Sequence, residues 1–205
     1  MNIWFATNNI HKKEELQAIL NTNSASSISA LLIPSDGGLD FNPEETGDTF
    51  HENALIKARA LQKLIGKNEP VIADDSGLCV DALGGRPGVL SARYGMINGI
   101  NPSSNEKNKK LLDELGDTDL RTARFVCVLV LLFNNDRFFI VQETLEGEIV
   151  KKNEMRGEGG FGYDPVFYLP EKGRTLAELS AEEKNIISHR GKAGKIIAEY
   201  IKDYL

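Results

Sequence analysis

Two neighbouring carboxylates, Asp74 and Asp75, directly follow the apolar run 71–73. Carboxylates that leave a buried strand side by side cannot both be solvated cheaply without a cation. Mg²⁺ prefers oxygen ligands and typically combines one or two protein carboxylates with phosphate oxygens and water. With Glu45 as a third candidate ligand, the residue types predict a Mg²⁺ site for a polyphosphate; the alternative is an acidic turn that faces water.

Groups that could bind phosphate occur in two further segments. The pattern Thr7-x-Asn9-x-x-Lys12 lies where a strand gives way to a helix, so backbone N–H groups and polar side chains could converge on an anion. Lys57 follows Asn53 by four residues, which places both on one side of a helix. The alternatives are a polar turn in which Asn caps the helix, and a solvated lysine.

A glycine-rich segment offers groups for a flat ligand. Residues 157–162 fit G-x-G-x-x-G formally, but Tyr163-Asp164-Pro165 follows where the helix of a dinucleotide-binding fold should begin, which argues against that fold. The glycines instead allow the backbone to approach a ligand, with Phe161 as a stacking face and Asp164 as a hydrogen-bond acceptor. The alternative is a glycine-rich turn around a core phenylalanine.

A third group of donors lies closer to the C-terminus. Lys184, His189 and Arg190 supply donors that suit a phosphate or the carbonyl oxygen of a base. His189 is not expected to be the base of a catalytic triad, because no G-x-S-x-G motif surrounds any serine.

The pattern of the sequence predicts the elements that position these groups. A strand over 3–6 precedes a helix over about 11–20, and a brief strand over 71–73 precedes the two carboxylates. The runs 122–133 and 137–149 flank a hairpin signal, Asn134-Asn135-Asp136. Further helices begin at capping boxes of Thr49, Ser103 and Ser180. Strands mixed with helices and one long hairpin predict an α/β fold on a mixed sheet.

The composition narrows the class of protein. A chain of 205 residues with 41% hydrophobic content fits one domain of one or two lobes over 1–205. The net charge of −6 argues against a nucleic-acid polymer as partner, because such binding requires many phosphates to be neutralised. Cys79 and Cys127 lie in apolar surroundings that suit reduced core thiols. No apolar run is long enough to span a membrane, so we expect a cytoplasmic protein.

Taken together, these motifs resemble the inosine triphosphate pyrophosphatase family, whose members remove non-standard purine nucleotides. The resemblance spans most of the chain and rests on six ordered segments. They are Thr7-x-Asn9-x-x-Lys12-x-x-Glu15, Glu45-Thr46-Gly47-x-Thr49-Phe50-x-Glu52-Asn53-Ala54-x-x-Lys57-Ala58, Ala73-Asp74-Asp75-Ser76-Gly77-Leu78, Ser91-Ala92-Arg93-Tyr94, Gly159-Gly160-Phe161-Gly162-Tyr163-Asp164-Pro165 and Glu183-Lys184-x-x-x-Ser188-His189-Arg190.

The resemblance implies an elongated mixed sheet flanked by helices, two lobes with a substrate cleft between them, and a homodimer. It also implies that ITP, dITP or XTP reacts with water to give the nucleoside monophosphate and pyrophosphate, with Mg²⁺ as cofactor. Glu45, Asp74 and Asp75 would bind the metal, and Asp75 would also be the general base. Substrate would be bound by Thr7, Asn8, Asn9, Ile10, His11, Lys12, Asn53, Lys57, Ser76, Phe161, Gly162, Tyr163, Asp164, Lys184, His189 and Arg190.

The family resemblance implies a mechanism, and three alternative functions remain to be tested. Asp75 would orient or deprotonate the water that attacks the α-phosphorus, while metal and lysines balance the charge of the pyrophosphate. Donors such as Arg190 would favour the 6-keto group of hypoxanthine or xanthine over adenine. The rivals are a pyrophosphatase for modified pyrimidine or other triphosphates, a nucleotide sensor without hydrolysis, and an RNA-binding protein, which the acidic composition opposes.

Overall fold

The computed structural model describes residues 2–23, 30–134 and 137–204. Its strands and helices are, in order, β1 (Asn2–Phe5), α1 (Ile10–Thr22), β2 (Ala30–Leu32), α2 (Phe50–Ile65), β3 (Val71–Val80), α3 (Ser104–Leu115), β4 (Thr122–Leu132), β5 (Phe138–Ile149), β6 (Phe167–Leu169), β7 (Arg174–Thr175), α4 (Ala181–Ile187) and α5 (His189–Tyr204). None of the described helices combines the length and the apolar character needed to cross a membrane.

The strands form one seven-stranded sheet in the order β2-β1-β3-β4-β5-β6-β7. β1 pairs in parallel with β2 and β3, whereas β6 pairs antiparallel with β5 and β7. Parallel neighbours need a crossover connection, and α1 and α2 lie in these connections. The α/β class and the mixed sheet predicted from the sequence are therefore confirmed.

The helix starts follow local signals in the sequence. The side chain of Thr49 accepts the backbone N–H of Glu52, whose carboxylate accepts the N–H of Thr49, and this capping box begins α2. Reciprocal bonds of the same kind precede α3 at Ser103 and α4 at Ser180. All three predicted capping boxes are confirmed.

The chain folds into two compact units, and β3, β4 and β5 contribute residues to both. In the first unit, neighbouring residues of a strand belong to cores on opposite faces of the sheet. Ile72 and Leu129 pack in a core with residues of α1 and α5, whereas Val71 and Val130 pack in a core with residues of α2. This unit comprises Met1–Asp75, Cys127–Glu143 and Ser188–Leu205.

The second unit comprises Ser76–Val126 and Thr144–Ile187. Its core combines Leu111 of α3 with Phe125 of β4 and Phe167 of β6, and the centres of these two rings lie 4.7 Å apart. Asn108 precedes Leu111 by three residues, so the helical repeat places a polar amide on the buried side of α3.

Some elements differ from those that the sequence pattern predicts. β3 continues through Asp74 and Asp75 as one strand, because lysine and arginine side chains compensate their charges. β6 and β7 form where no strand is predicted, because they exist through pairing with β5. α1 extends to Thr22, two residues beyond its predicted end. Residues 135–136 of the predicted hairpin turn lie outside the described residues.

Candidate active site

Lys57 of α2 connects two of the predicted metal-binding carboxylates. Its ammonium lies 2.8 Å from a carboxylate oxygen of Glu45 and 2.5 Å from Oδ1 of Asp75. Burial lowers the pKa of Lys57, but the charges of Asp75 and Glu45 outweigh burial and hold this pKa above its ordinary value. Lys57 is therefore a fixed positive charge, and the two carboxylates that share it lie close together.

The second oxygen of Asp75 is the distinctive feature of this group. Oδ2 is buried and accepts no hydrogen bond from the described residues. Burial raises the pKa of Asp75, and the neighbouring charge of Lys57 offsets this rise only in part. A buried carboxylate oxygen without a donor is costly, and such groups are typical of sites that bind a cation or accept a proton.

Asn53 holds the backbone beside Glu45. Its Oδ1 accepts the N–H of Gly47 at 2.8 Å, and its Nδ2 donates to the carbonyl of Gly47 at 3.2 Å. Gly47 allows this close approach, because an added Cβ would lie 2.5 Å from Cβ of Glu52 and 2.8 Å from Oδ1 of Asn53. The amide of Asn53 is fully buried and positions the turn that carries Glu45, while its binding of phosphate stays a prediction.

Asp74 lies in a separate buried network. Its Oδ1 accepts a hydrogen bond from the ammonium of Lys12, and its Oδ2 accepts one from Nε of Arg190 at 2.9 Å. The thiol of Cys127 lies 3.5 Å from the same Oδ2. Burial opposes the ionisation of Asp74, but the charges of Arg190 and Lys12 outweigh it and hold its pKa well below the ordinary value. Side chains thus compensate this carboxylate, where the sequence predicts a metal ion.

Arg190, a predicted ligand of the base, is enclosed by carboxylates of the first unit. Its side chain is 3% exposed and also donates to a carboxylate oxygen of Glu15. Burial lowers the pKa of Arg190, but Asp74 and Glu15 outweigh burial and raise it. Glu15 follows Lys12 by three residues, so one face of α1 brings an acceptor and a donor to the network. The guanidinium is therefore bound within the protein.

The turn between β1 and α1 uses most of its polar side chains to hold the backbone. Asn9 is the N-cap of α1, and its Oδ1 accepts the N–H groups of His11 and Lys12. Oγ1 of Thr7 accepts the N–H of Asn9 at 3.1 Å, and the amide of Asn8 donates to a backbone carbonyl before α2. The alternative interpretation of Asn9 as a helix cap is confirmed, and Lys12 is the group of this turn that reaches Asp74.

Another group of predicted site residues lies in the second unit. Nζ of Lys184 lies 2.7 Å from Oδ2 of Asp164, and the same oxygen accepts the N–H of Phe161 at 2.8 Å. The ammonium also lies 4.6 Å from the centre of the Phe161 ring. Asp164 and Lys184 are buried, whereas Phe161 is half-buried. An aromatic face, a cation and a carboxylate are therefore held together, as recognition of a flat polar ring requires.

Two other segments of the second unit hold the loop that carries Phe161. The carbonyl of Gly162 accepts a hydrogen bond from Nδ2 of Asn108 at 3.0 Å. The hydroxyl of Tyr163 donates to the carbonyl of Ser91 at 3.0 Å. Gly162 has a φ of 66°, in the left-handed region that favours glycine. The predicted binding segment is thus an anchored turn.

The remaining predicted site residues lie at the starts and ends of elements. Ser76 follows Asp75 within β3 and is half-buried. His189 begins α5 and is buried. Ile10 and His11 lie in the exposed first turn of α1.

Three residues of these groups have no role predicted from the sequence: Glu15, Cys127 and Asn108. Glu15 is signalled by its spacing from Lys12 on one helix face. Cys127 and Asn108 carry no such signal, because their hydrogen-bond partners lie 53 and 54 positions away along the chain.

The three predicted metal ligands differ in how well they fit a divalent cation. Glu45 and Asp75 share one lysine and include an oxygen without a donor, which suits the one or two carboxylates that Mg²⁺ uses. Asp74 does not fit, because both of its oxygens are bonded to cations of the chain. Within the described ranges, no three His, Cys, Asp or Glu side chains are arranged to hold a metal. A metal at Glu45 and Asp75 would therefore complete its coordination with phosphate and water oxygens.

Known proteins match nearly the whole chain. The Ham1 family model matches residues 3–200. The dITP/XTP pyrophosphatase of Treponema denticola is 48% identical over 202 residues, which cover 98% of this chain and 99% of that protein. The dITP/XTP pyrophosphatase of Geobacillus kaustophilus is 48% identical over 193 residues, which cover 93% of this chain and 89% of that protein.

Solved structures agree with the sequence matches. The Staphylococcus aureus Ham1 protein has a TM-score of 0.84 at 39% identity, with 100% of both chains covered. A HAM1 protein from Coxiella burnetii has a TM-score of 0.85 at 40% identity, with 99% of both chains covered. These matches confirm the family resemblance that the motifs indicate, and the chain belongs to the Ham1 family.

Proposed function

We propose that this protein is a Mg²⁺-dependent pyrophosphohydrolase that converts ITP, dITP or XTP and water to the nucleoside monophosphate and pyrophosphate. The observation that carries the proposal is the group of Glu45, Lys57 and Asp75, in which a buried oxygen of Asp75 has no donor among the described residues. The names of the relatives from T. denticola and G. kaustophilus, dITP/XTP pyrophosphatase, support the same reaction.

The charges around Asp74 and Asp75 explain why substrate binding requires a cation. The ion pairs of Lys57 contain two carboxylates, Glu45 and Asp75, against one cation. In the separate network of Asp74, two carboxylates are matched by two cations. Each further like charge within about 4 Å would cost roughly 4 kcal/mol at an intermediate dielectric. Glu45 and Asp75 would hold Mg²⁺, which when bound supplies positive charge to the phosphate oxygens.

Asp75 is the proposed general base. Lys57 holds its Oδ1, and Oδ2 is left to accept a proton from water. The water oxygen forms a bond to the α-phosphorus, the bond from this phosphorus to the bridging oxygen breaks, and pyrophosphate leaves with the electron pair. Lys12 and Lys57 keep further N–H donors for the phosphate oxygens.

Phe161, Asp164 and Lys184 are the proposed groups for the purine. The ring of Phe161 offers a stacking face, and the ammonium of Lys184 offers donors beside it. Such donors suit the 6-keto oxygen of hypoxanthine or xanthine, whereas adenine presents an amino group at this position. We assign specificity to Lys184 and backbone N–H groups rather than to Arg190, because Asp74 and Glu15 already bind the guanidinium.

The proposal includes a homodimer that acts on the nucleotide pool of the cytoplasm. The family resemblance supports the dimer. The free thiols of Cys79 and Cys127 suit a reducing compartment. The net charge of −6 supports small nucleotides rather than a nucleic-acid polymer as the partner.

The test is a substrate panel of ITP, XTP, ATP, GTP and a modified pyrimidine triphosphate, each with Mg²⁺ and with excess chelator. We expect ITP and XTP to give monophosphate and pyrophosphate in equal amounts, with Mg²⁺ present and not with chelator. ATP should react at least about 10²-fold more slowly. Orthophosphate as product, or equal rates with ATP, would contradict the proposal. Binding without products would favour a sensor, and preference for the pyrimidine would favour the related pyrophosphatase.

A further inference from the structure

We propose that Asn108 of α3 is a positioning residue for the purine-binding loop and acts through the backbone of Gly162. The proposal rests on the proposed function, because it takes Phe161 and Asp164 as groups that bind the base. Nδ2 of Asn108 donates to the carbonyl of Gly162 at 3.0 Å. Asn108 belongs to none of the six motif segments that carry the family resemblance.

The position of Asn108 would suit an apolar residue. Asn108 is 2% exposed and shares the buried side of α3 with Leu111 and Leu115. Its second polar atom, Oδ1, is buried and accepts no hydrogen bond from the described part of the chain. An amide with one polar atom unpaired is unfavourable in a core. The stability of the core therefore does not explain why an asparagine occupies position 108. Its side chain instead contributes the hydrogen bond to the carbonyl of Gly162.

This hydrogen bond reaches the peptide that joins Gly162 to Tyr163. Gly162 has a φ of 66°, and apart from its two chain neighbours no described residue has an atom within 4 Å of the position that a Cβ would take. Glycine tolerates a wider range of backbone conformations than other residues, so contacts from outside the residue are needed to select one of them. The donor on α3 sets the direction of the Gly162 carbonyl, and this direction fixes the backbone between Phe161 and Asp164.

A second anchor on the next residue completes the restraint. The hydroxyl of Tyr163 donates to the carbonyl of Ser91 at 3.0 Å. The hydroxyl of Ser91 in turn donates to the carbonyl of Gly88 at 2.6 Å and accepts the N–H of Leu78 at 2.9 Å. Anchors on two successive residues restrict both the position and the rotation of the loop. Asn108 therefore controls the angle at which the ring of Phe161 is presented.

Removal of the amide should weaken binding that depends on the base. Asn108→Ala is expected to raise KM for ITP about fivefold to tenfold, the effect of one buried hydrogen bond. The kcat should change less than about twofold, because Asp75 and Lys57 are untouched. Inorganic tripolyphosphate carries no base, so its inhibition constant should stay unchanged. Asn105→Ala, at an exposed asparagine of the same helix, is the matched control and should change neither value.

Two further measurements separate positioning from stability and from the proposed function. Asn108→Leu fills the buried position with an apolar side chain, so it should unfold at the wild-type temperature or above and still show the raised KM. Hydrogen exchange of amides 160–163 should be faster in both Asn108 variants than in wild type and Asn105→Ala. Equal changes in KM and tripolyphosphate inhibition, an unchanged KM, or unchanged exchange would each overturn the proposal. If wild type does not hydrolyse ITP, the proposed function fails, while the exchange comparison still tests the contact.

Discussion

At the scale of single residues, we predict different tasks for the adjacent carboxylates Asp74 and Asp75. Asp74 compensates two cations and is 1% exposed, so Asp74→Asn should lower the free energy of unfolding by about 3 kcal/mol. Asp75→Asn leaves Lys57 paired with Glu45 and removes a buried carboxylate oxygen without a donor, so stability should change by less than about 1 kcal/mol. Its kcat should nevertheless fall about 10³-fold. Urea unfolding at pH 7 and pyrophosphate release from ITP measure the two effects.

The stability lost in Asp74→Asn should depend on pH. The pKa of Asp74 lies well below 3.8 in the folded protein, because Arg190 and Lys12 outweigh the effect of burial. The ionised carboxylate therefore stabilises the fold fully above the unfolded pKa, and this contribution is lost as pH falls through the folded pKa. Asp113→Asn, at an exposed carboxylate paired with Lys152, is the control and should change the free energy of unfolding by less than about 1 kcal/mol. Equal destabilisation by Asp74→Asn and Asp75→Asn would contradict the division of tasks.

The two cysteines should be poor nucleophiles in the folded protein. Burial raises the pKa of Cys127 well above 9.0, with a further contribution from the charge of Asp74, and burial also raises the pKa of Cys79. Because the thiolate is the reactive form, iodoacetamide at pH 8 should label half-buried Cys79 slowly and leave buried Cys127 unlabelled. Raising the pH to 9 should still leave Cys79 slower than a free thiol. Peptide mass spectrometry gives the rates, with guanidinium-unfolded protein as the control. Labelling of Cys127 at the unfolded rate would refute its burial.

At the scale of elements, interactions between residues close in sequence can be predicted from the sequence, whereas interactions between distant residues cannot. The capping box of Thr49 joins residues three positions apart, so the sequence alone predicts the start of α2. β6 and β7 have three and two residues and depend on pairing with β5, which no local pattern reveals. The charges in β3 are compensated from Lys12 and Arg190, 62 and 116 positions from Asp74. Buried carboxylates therefore predict a cation, but not that the cation is an arginine.

The turn before α2 gives an element-scale prediction. In Gly47→Ala, the new Cβ would meet Glu52 and Asn53, so the turn must move and take Glu45 away from Lys57. We expect kcat/KM for ITP to fall about 10²-fold, as small displacements of catalytic groups produce.

Gly66→Ala at the other end of α2 is the matched control. Gly66 has a φ of 115°, so alanine strains the backbone there and should lower the free energy of unfolding by about 1 kcal/mol. Activity at a temperature where both variants are folded should stay at the wild-type level in Gly66→Ala. If both variants lose activity equally, the Gly47 turn has no special role in placing Glu45.

At the scale of the whole molecule, the first unit is assembled from segments that are far apart in sequence. Its core includes Ile3 from β1, Leu129 from β4 and Ile197 from α5, all fully buried. The apolar face of α5 is predictable from its spacing, but its packing against α1 and β4 is not, because those partners lie far back along the chain. Arg190 also lies in α5, so this helix supplies both buried apolar side chains and the guanidinium that pairs with Asp74.

Removal of α5 should therefore unfold the first unit. A chain that ends at Ile187 loses Ile197 and Ile201, both fully buried, and the guanidinium that binds Asp74. Truncating one such isoleucine to alanine costs about 2–5 kcal/mol, whereas total stability is about 5–15 kcal/mol. We expect the shortened chain to lack a cooperative urea transition by far-UV circular dichroism. Arg190→Met in the unshortened chain should keep the transition at lower urea, and exposed Lys202→Ala should not shift it. A cooperative transition in the shortened chain would mean that the remaining segments form this core without α5.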